Sequence, residues 1–293
     1  MALPARHQWN DLPDAVTRAV EDRFGSVLST AEVGGGQNCD VAVVLRGSAE
    51  RAVFVKGVHG VSRRMRWLRN EIAAGALTEG LAPATLFHLD VADWLVVGFE
   101  YLPGRPASLA PGSADLPLVA SAMQRISTMR APGLPALRDR WAGADWWHRF
   151  AAAAPDEARD WDVRELTSIA AALPALVDGD QLVHTDLHGE QFLIDARSTI
   201  HVIDWGFPAA GAEWVDVAFL ILRLMEAGHT ASDAQAWALA FREIDPVALT
   251  AFASYIAGMW SYWAASANSI SGSPHRARLA RNYLAWRLAR VIS

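Results

Sequence analysis

The sequence predicts an α+β fold of two lobes, the first built on a five-stranded antiparallel sheet with helices and the second mainly helical. Three observations carry this. Residues 26–99 hold five short apolar segments with strand character, joined by turns rich in glycine and polar residues. From residue 118 onward most apolar positions recur at helical spacing. Between the two regimes, Gly98-Phe99-Glu100-Tyr101-Leu102-Pro103-Gly104 switches abruptly to turn chemistry. The chain thus divides into residues 1–99, a connector over 100–104, and residues 105–293. At 293 residues and 52% hydrophobic content it has apolar mass for both lobes.

In order, residues 11–24 read as an amphipathic helix, with Leu12, Val16, Val20 and Phe24 four residues apart and Gly25 as its stop. Residues 26–33 are the first strand. The turn Gly34-Gly35-Gly36-Gln37-Asn38 leads to a second strand over 41–45, and a turn at 47–50 leads to a third over 52–56. Glycines here let backbone approach a ligand closely, although the same pattern also describes an ordinary hairpin. No glycine-lysine-serine/threonine run opens a helix, so this is not a Walker A loop. Residues 62–78 form a helix with Met65, Leu68, Ile72 and Leu77 near one face and Glu71 within it. A second hairpin over 84–90 and 94–99 completes five strands.

The second lobe opens with a Pro-, Gly- and Ser-rich loop over 103–117, a helix over 118–129, a break at 131–135 and a helix over 157–177. From Leu182 to Trp205 the strand pattern returns, in Phe192-Leu193-Ile194 and in residues 199–203 about a turn at 195–198. Antiparallel pairing sets the start of one strand beside the end of the other, so Gln191 and Asp204 emerge together at the open end. Asp186 lies in the loop before them, which brings two carboxylates and an amide oxygen to one place. The chain then turns through Pro208 and Gly211 into a helix from near Glu213, with Asp216 where it favours the helix dipole. Helices over 231–243, 247–267 and 274–292 finish it.

Composition excludes several classes. A net charge of -6 and a pI near 5.8 argue against a nucleic-acid partner. Cys39 is the only cysteine, so neither an intrachain disulfide nor a CxxC zinc site exists, and a reducing cytoplasm is the expected setting. The opening residues lack a signal-peptide core, and no apolar run approaches the roughly 18–20 residues of a membrane span. Among 26 lysines and arginines only Lys56 is lysine. The general taste for arginine follows a GC-rich genome, whereas a lysine kept at position 56 suits a compact charge set against phosphate oxygens.

His184-x-Asp186-x-x-x-x-Gln191, followed after the hairpin by Asp204-Trp205-Gly206, resembles the catalytic loop and metal-binding triplet of the protein-kinase-like superfamily. The continuation HTDLH resembles its aminoglycoside phosphotransferase branch, and the likeness covers nearly the whole chain. It implies a two-lobed kinase-like fold and magnesium-dependent transfer of the γ-phosphoryl of ATP or GTP to a small-molecule hydroxyl. By that resemblance Asp186 orients the hydroxyl and accepts its proton, Asp204 is the principal magnesium ligand, and Gln191 stands where the family has a metal-binding Asn. Magnesium asks for near-octahedral oxygens at about 2.0–2.1 Å, so the longer Gln191 arm coordinates after a backbone adjustment, through water, or not at all. Gly35 and Gly36 fall in the phosphate-covering loop, and Lys56 faces the phosphates. Glu71 pairs with Lys56, though it also fits a solvated helix acid among its neighbouring arginines. Phe99 backs the nucleotide pocket, with the Glu100 carbonyl and Leu102 amide toward the base. Residues 1–99 become the nucleotide-binding lobe, 100–104 the hinge, and 105–293 the catalytic and acceptor-binding lobe. His184 becomes scaffold, Asp216 a brace for the loop, and His188 peripheral, because magnesium prefers oxygen ligands.

The 13 tryptophans, clustered at Trp141, Trp146 and Trp147 and again at Trp260 and Trp263, read as core or as a platform for a flat acceptor. Residues 247–293 contain no Asp or Glu and several Arg, which argues against a cationic acceptor there; Asp139, Asp145, Glu213 and Glu226 keep that option open. An antibiotic is the acceptor the resemblance implies first. A metabolic kinase for a sugar, amino alcohol or nucleoside is the alternative, and Gln191 sustains a third reading as a regulatory or scaffolding pseudokinase. Neither the acceptor, nor the choice between ATP and GTP, nor the oligomeric state follows from the sequence.

Overall fold

In a computed structural model the chain forms two compact units, residues 1–106 with 190–208 and residues 107–189 with 209–293. The structure describes residues 7–34, 38–266 and 272–291. The first unit begins with α1 (Asp14–Phe24), β1 (Ser29–Glu32), β2 (Val41–Arg46), β3 (Ala52–His59), α2 (Arg63–Gly75), β4 (Thr85–Val91), β5 (Trp94–Glu100) and β6 (Gly104–Pro106). The second contributes α3 (Leu116–Ile126), α4 (Leu137–Trp141), α5 (Trp146–Ala153), α6 (Pro155–Ala158), α7 (Val163–Ala171), α8 (Leu173–Leu176) and β7 (Gln181–Val183). The first unit takes the chain back for β8 (Phe192–Asp195) and β9 (Ile200–Val202). The second closes it with β10 (Ala209–Gly211), α9 (Val215–Glu226), α10 (Ala231–Leu239), α11 (Pro246–Ala265) and α12 (Pro274–Val291).

The five-stranded sheet of the first unit has the order β1-β2-β3-β5-β4, with every pair antiparallel. Its two faces are legible residue by residue, because side chains alternate along a strand. Val41, Val43, Val53, Val55 and Val96 join Val16, Val20 and Phe24 of α1 in one core. Ala42, Val58, Val97 and Phe99 join Leu68 of α2 in the other. Both faces of β2 are thus covered, which is why VAVVL is apolar without a break. Lys56 pairs in register with Ala42 and Val97, so the alternation sends it to the α2 face. The first strand is shorter than expected. Its register covers Ser29–Glu32, an exposed edge, and Leu28 N and Val33 N add bonds to Arg46 O at 2.8 Å and Ala42 O at 3.1 Å at its ends.

Ser62 caps α2 by accepting from Met65 N at 3.3 Å. Leu68, Glu71 and Ala74, three apart, form its buried stripe. A carboxylate on such a stripe needs a partner. A second sheet in this unit, β6-β8-β9, contains a strand that the sequence reading took for loop. Gly104 makes it: a Cβ there would lie 2.8 Å from Ile194 O and 2.9 Å from Leu193 Cγ, so β6 approaches β8 only without a side chain. In the hairpin Phe192 pairs with Val202, and Ile203 N donates to Gln191 O at 3.0 Å. Gln191 and Asp204 therefore flank the last bond of the ladder.

In the second unit α11 is buried without interruption from Ala251 to Ser261, as a helix apolar all round should be. Asp245 caps it, accepting from Val247 N at 2.8 Å and Ala248 N at 3.0 Å. Trp141 stacks on Tyr255 at 5.1 Å, and Trp147 Nε1 donates to Ser254 O at 2.9 Å, so these tryptophans are core. The single helix expected over 157–177 is three. Asp162 accepts from Glu165 N at 2.9 Å and starts α7 afresh, and Pro174 opens α8 where a continuing helix would need an N–H. Strands β7 and β10 pair across 25 intervening residues and had no local signal. Among the described residues no helix is long and apolar enough to cross a membrane.

Candidate active site

Lys56 is the centre of the first unit's polar chemistry. Its ammonium donates to Glu71 Oε2 at 2.9 Å and is ion-paired with Asp204. Burial works against the charge, but Asp204 and then Glu71 outweigh it, and the ammonium is held above its ordinary value. Burial pushes the Glu71 carboxyl up to about 7; Lys56 opposes the rise and the charge of Asp204 adds to it. The three residues come from β3, α2 and the end of the hairpin, so three separate pieces of chain converge on one charge. Glu71 is no solvated helix acid.

Asp204 sits at φ 63°, in the left-handed region that Asp and Asn tolerate better than most residues. Local bonds hold it there. Gly206 N donates to Asp204 O at 2.8 Å, and Trp205 Nε1 donates to Val202 O at 2.9 Å. From α2, Asn70 Nδ2 donates to Gly206 O at 3.0 Å and Trp67 packs on Phe207 with ring centroids 4.8 Å apart. The helix that carries Glu71 is thereby tied to the turn that carries Asp204. Gln191 is buried, at the end of a 3-10 turn over Gly189–Gln191 that leads into β8.

Lys56, Glu71 and Asp204 stand at one wall of a largely apolar cleft in the first unit. Val33, Val44, Phe54, Ala82, Phe99 and Leu193 line it, and Glu100, Tyr101 and Leu102 form its rim. The alternation that exposes Lys56 to the cleft also sends Phe54 and Val44 there. Phe99 is buried behind Lys56, whose ammonium lies 5.9 Å from the ring centroid. Gly35 and Gly36 lie outside the described residues.

Asp186 lies in the second unit, on a loop fixed from below by one buried acid. The Asp216 carboxylate accepts from His184 N at 2.7 Å and Thr185 N at 2.8 Å. Burial raises its pKa, while His184 and the two backbone donors hold it down. Thr185 adopts φ 65°, a strained value for a β-branched residue, and Arg140 donates to its hydroxyl at 2.8 Å. Asp186 is 43% exposed and takes a bond of 3.3 Å from Arg223, which is only 4% exposed. Arg223 also donates to Leu187 O at 3.2 Å and Glu226 at 3.1 Å. His184 is fully buried, and its backbone N–H is one of the two bonds that tie the loop to Asp216.

Among the described residues no three His, Cys, Asp or Glu side chains gather as a metal cage. Magnesium needs no such cage when it uses one or two protein oxygens together with substrate phosphates. The half-exposed Asp204 carboxylate at the wall of the cleft is an oxygen donor of that kind, whereas Gln191 is buried at the start of the paired strand.

Residues 38–252 match the profile of the phosphotransferase enzyme family. The chain belongs to that family. This phosphotransferase has the protein-kinase-like α+β fold of the aminoglycoside phosphotransferases, as solved structures show. The aminoglycoside phosphotransferase of Alicyclobacillus acidocaldarius superimposes with a TM-score of 0.63 at 15% identity, over 99% of each chain. The choline kinase of Streptococcus pneumoniae gives 0.62 at 16%, over 92% of this chain and 99% of its own. A spectinomycin phosphotransferase, solved with ADP and spectinomycin, gives 0.59 at 11% over 92% of each. Comparison with proteins of curated function returned no significant match.

Sequence reasoning missed three contributors to the phosphotransferase's site. Arg223 had a signal, since it is the lone cation in the apolar run VDVAFLIL-Arg223-LME and must find an acid. Arg140 and Asn70 had none, because only the fold brings their partners near. The brace at Asp216 is testable. Asp216→Ala leaves two N–H groups without their acceptor, at roughly 1–3 kcal/mol each, and a urea titration is expected to show a loss of roughly 2–6 kcal/mol. An unchanged midpoint would remove Asp216 as the support of the loop.

Proposed function

We propose that this phosphotransferase moves the γ-phosphoryl of ATP or GTP, with magnesium, to the hydroxyl of a small molecule in the cytoplasm. The observation that carries the reading is Lys56 held between Glu71 and Asp204 at the wall of an apolar cleft. Lys56 is aimed by Glu71 at the nucleotide phosphates, and the rim at Glu100 and Leu102, within a hinge over 100–104, receives the base. Asp204 would hold magnesium, with Gln191 as second oxygen donor; the metal supplies charge neutralisation on the phosphates. Asp186 orients the acceptor hydroxyl and takes its proton. Residues 1–99 serve the nucleotide and 105–293 the acceptor, with the β8–β9 hairpin adding Asp204 to the nucleotide's side. Catalysis of this kind is positioning plus charge stabilisation, which a pre-tied Lys56, Glu71 and Asp204 provide.

An antibiotic is the first acceptor class to screen, since solved relatives include a spectinomycin phosphotransferase with its antibiotic and an aminoglycoside phosphotransferase with ADP and hygromycin B. A sugar or amino alcohol metabolite is the second, given the choline kinase. The deciding test is thermal unfolding with ATP and GTP, with and without magnesium, followed by acceptor-dependent ADP release. A magnesium-dependent shift is expected. No shift with either nucleotide would sink the reading. Gln191→Asn restores the shorter amide and is expected to lower the half-saturating magnesium concentration on the order of tenfold. An unchanged magnesium titration would take Gln191 out of the ligand set.

A further inference from the structure

The charges around Asp186 are arranged in a chain. Glu226 Oε2 takes Arg223 Nη1 at 3.1 Å, and its other oxygen takes Arg276 Nε of α12 at 2.9 Å. Burial favours protonation of Glu226, but Arg276 and Arg223 outweigh it and keep it a carboxylate. Arg223 in turn lies over Trp260, 5.2 Å from the ring centroid, and reaches Asp186. Both carboxylates that a cation would seek here are therefore already held by guanidinium. Arg276 is bound to the cluster through Nε alone and is 38% exposed. Among the described residues its two terminal nitrogens donate to no protein group, which leaves the planar fork that matches an oxyanion.

Three of the four acids that kept a cationic acceptor open are held by a partner, Glu226 among them, and Asp139 is a largely exposed surface acid. Asp145 caps α5 and binds His148 at 2.7 Å, Glu213 binds Arg242 at 2.6 Å, and Asp139 lies 3.6 Å from Arg138. The other inward arginines of α12 are occupied: Arg281 by Ser261 and Glu157, Arg287 by Gln235, Thr250 and Pro246 O. Residues 247–293 supply no acid at all. A polycation bound beside Asp186 would have to expel Arg223 and Arg276 or face them, and like charges in a partly buried site repel. An anion meets the opposite field.

We infer that the acceptor is a hydroxyl compound bearing an oxyanion, a carboxylate or a phosphate, which the Arg276 fork holds beside Asp186. This rests on Asp186 being the group that meets the acceptor hydroxyl, and within the proposed acceptors it selects the anionic ones against cationic antibiotics and amino alcohols. Arg223 is the positioning residue of the arrangement, fixing Asp186 while Glu226 sets the angle of Arg276. Hydroxy acids, sugar acids and sugar phosphates have the required pairing of groups.

The test is thermal unfolding of the full chain with D-glycerate, D-gluconate, shikimate and glucose 6-phosphate, with glucose as the neutral probe and choline and hygromycin B as cationic ones. Each is run with and without magnesium-ADP. At least one anion is expected to stabilise the protein where the neutral and cationic probes do not. Arg276→Gln is expected to weaken that anion tenfold or more, Arg276→Lys to restore part of it, and neither to alter the magnesium-ADP shift. Preference for the acids or for the sugar phosphate identifies which oxyanion is read. Stabilisation by choline or hygromycin B equal to that by the anions would overturn the inference, as would indifference of the anions to Arg276→Gln or the absence of any anion effect. Loss of the magnesium-ADP shift alone would strike the nucleotide reading instead, with the nucleotide-free arms still deciding the acceptor's charge.

Discussion

Asp204→Asn is expected to abolish the stabilisation that magnesium and nucleotide together give the protein. At a ligand concentration of about 100 times Kd that stabilisation amounts to roughly 2.7 kcal/mol, and the variant should lose most of it. Asn is the right replacement because position 204 needs a left-handed backbone, φ 63°, which Asn also tolerates. Lys56 keeps Glu71 but loses the stronger of its two counter-charges, so the unliganded variant should itself unfold earlier than wild type, and the ligand effect is read as the shift within each protein. Calorimetry with and without magnesium separates the two effects. A magnesium-dependent shift that survives in the variant would remove Asp204 as the metal's holder.

Asp186→Asn is expected to lower turnover by roughly 10²–10⁴-fold, the range for loss of a positioned general base, while leaving nucleotide affinity unchanged. Stability should barely move. Asp186 is 43% exposed, so its replacement buries no new polar group, and the buried Arg223 rests on its other partners. Arg223 keeps Glu226 and Leu187 O. Acceptor-dependent ADP release gives the turnover, and a nucleotide titration of the same variant gives the affinity. Turnover within a factor of a few of wild type would show that Asp186 does not take the hydroxyl proton.

The parts of the site that the sequence displayed are those whose placement follows from local periodicity. Lys56 falls on the cleft face because it is in phase with Phe54 and Val58 on one strand. Glu71 falls on the buried stripe of α2 because it is three residues from both Leu68 and Ala74. Gln191 and Asp204 flank one ladder bond because the hairpin between them is short. What escaped depends on partners far away in the chain. Arg223 reaches Asp186 across 37 residues and Arg276 reaches Glu226 across 50, and no window of sequence contains either pair. The break of residues 157–177 into three helices was hidden differently. Helical spacing of apolar residues survives a helix end, and only the capping side chain of Asp162 and the missing N–H of Pro174 reveal it.

The aromatic packing of the second unit governs how this protein can be watched. Nine of the 13 tryptophans belong to that unit, and only Trp9, Trp67, Trp94 and Trp205 belong to the first. Several of the nine are near enough to pass excitation between rings, as with Trp147 and Trp161 at 5.5 Å or Trp146 and Trp263 at 6.2 Å. Ultraviolet emission is therefore weighted toward the helical unit, and an optical melt follows its loss of order. Trp205, at the wall of the cleft, adds one voice among 13. An emission trace and a calorimetric trace of one sample will thus weight different halves of the molecule. A gap between them on adding nucleotide would report that the halves melt separately.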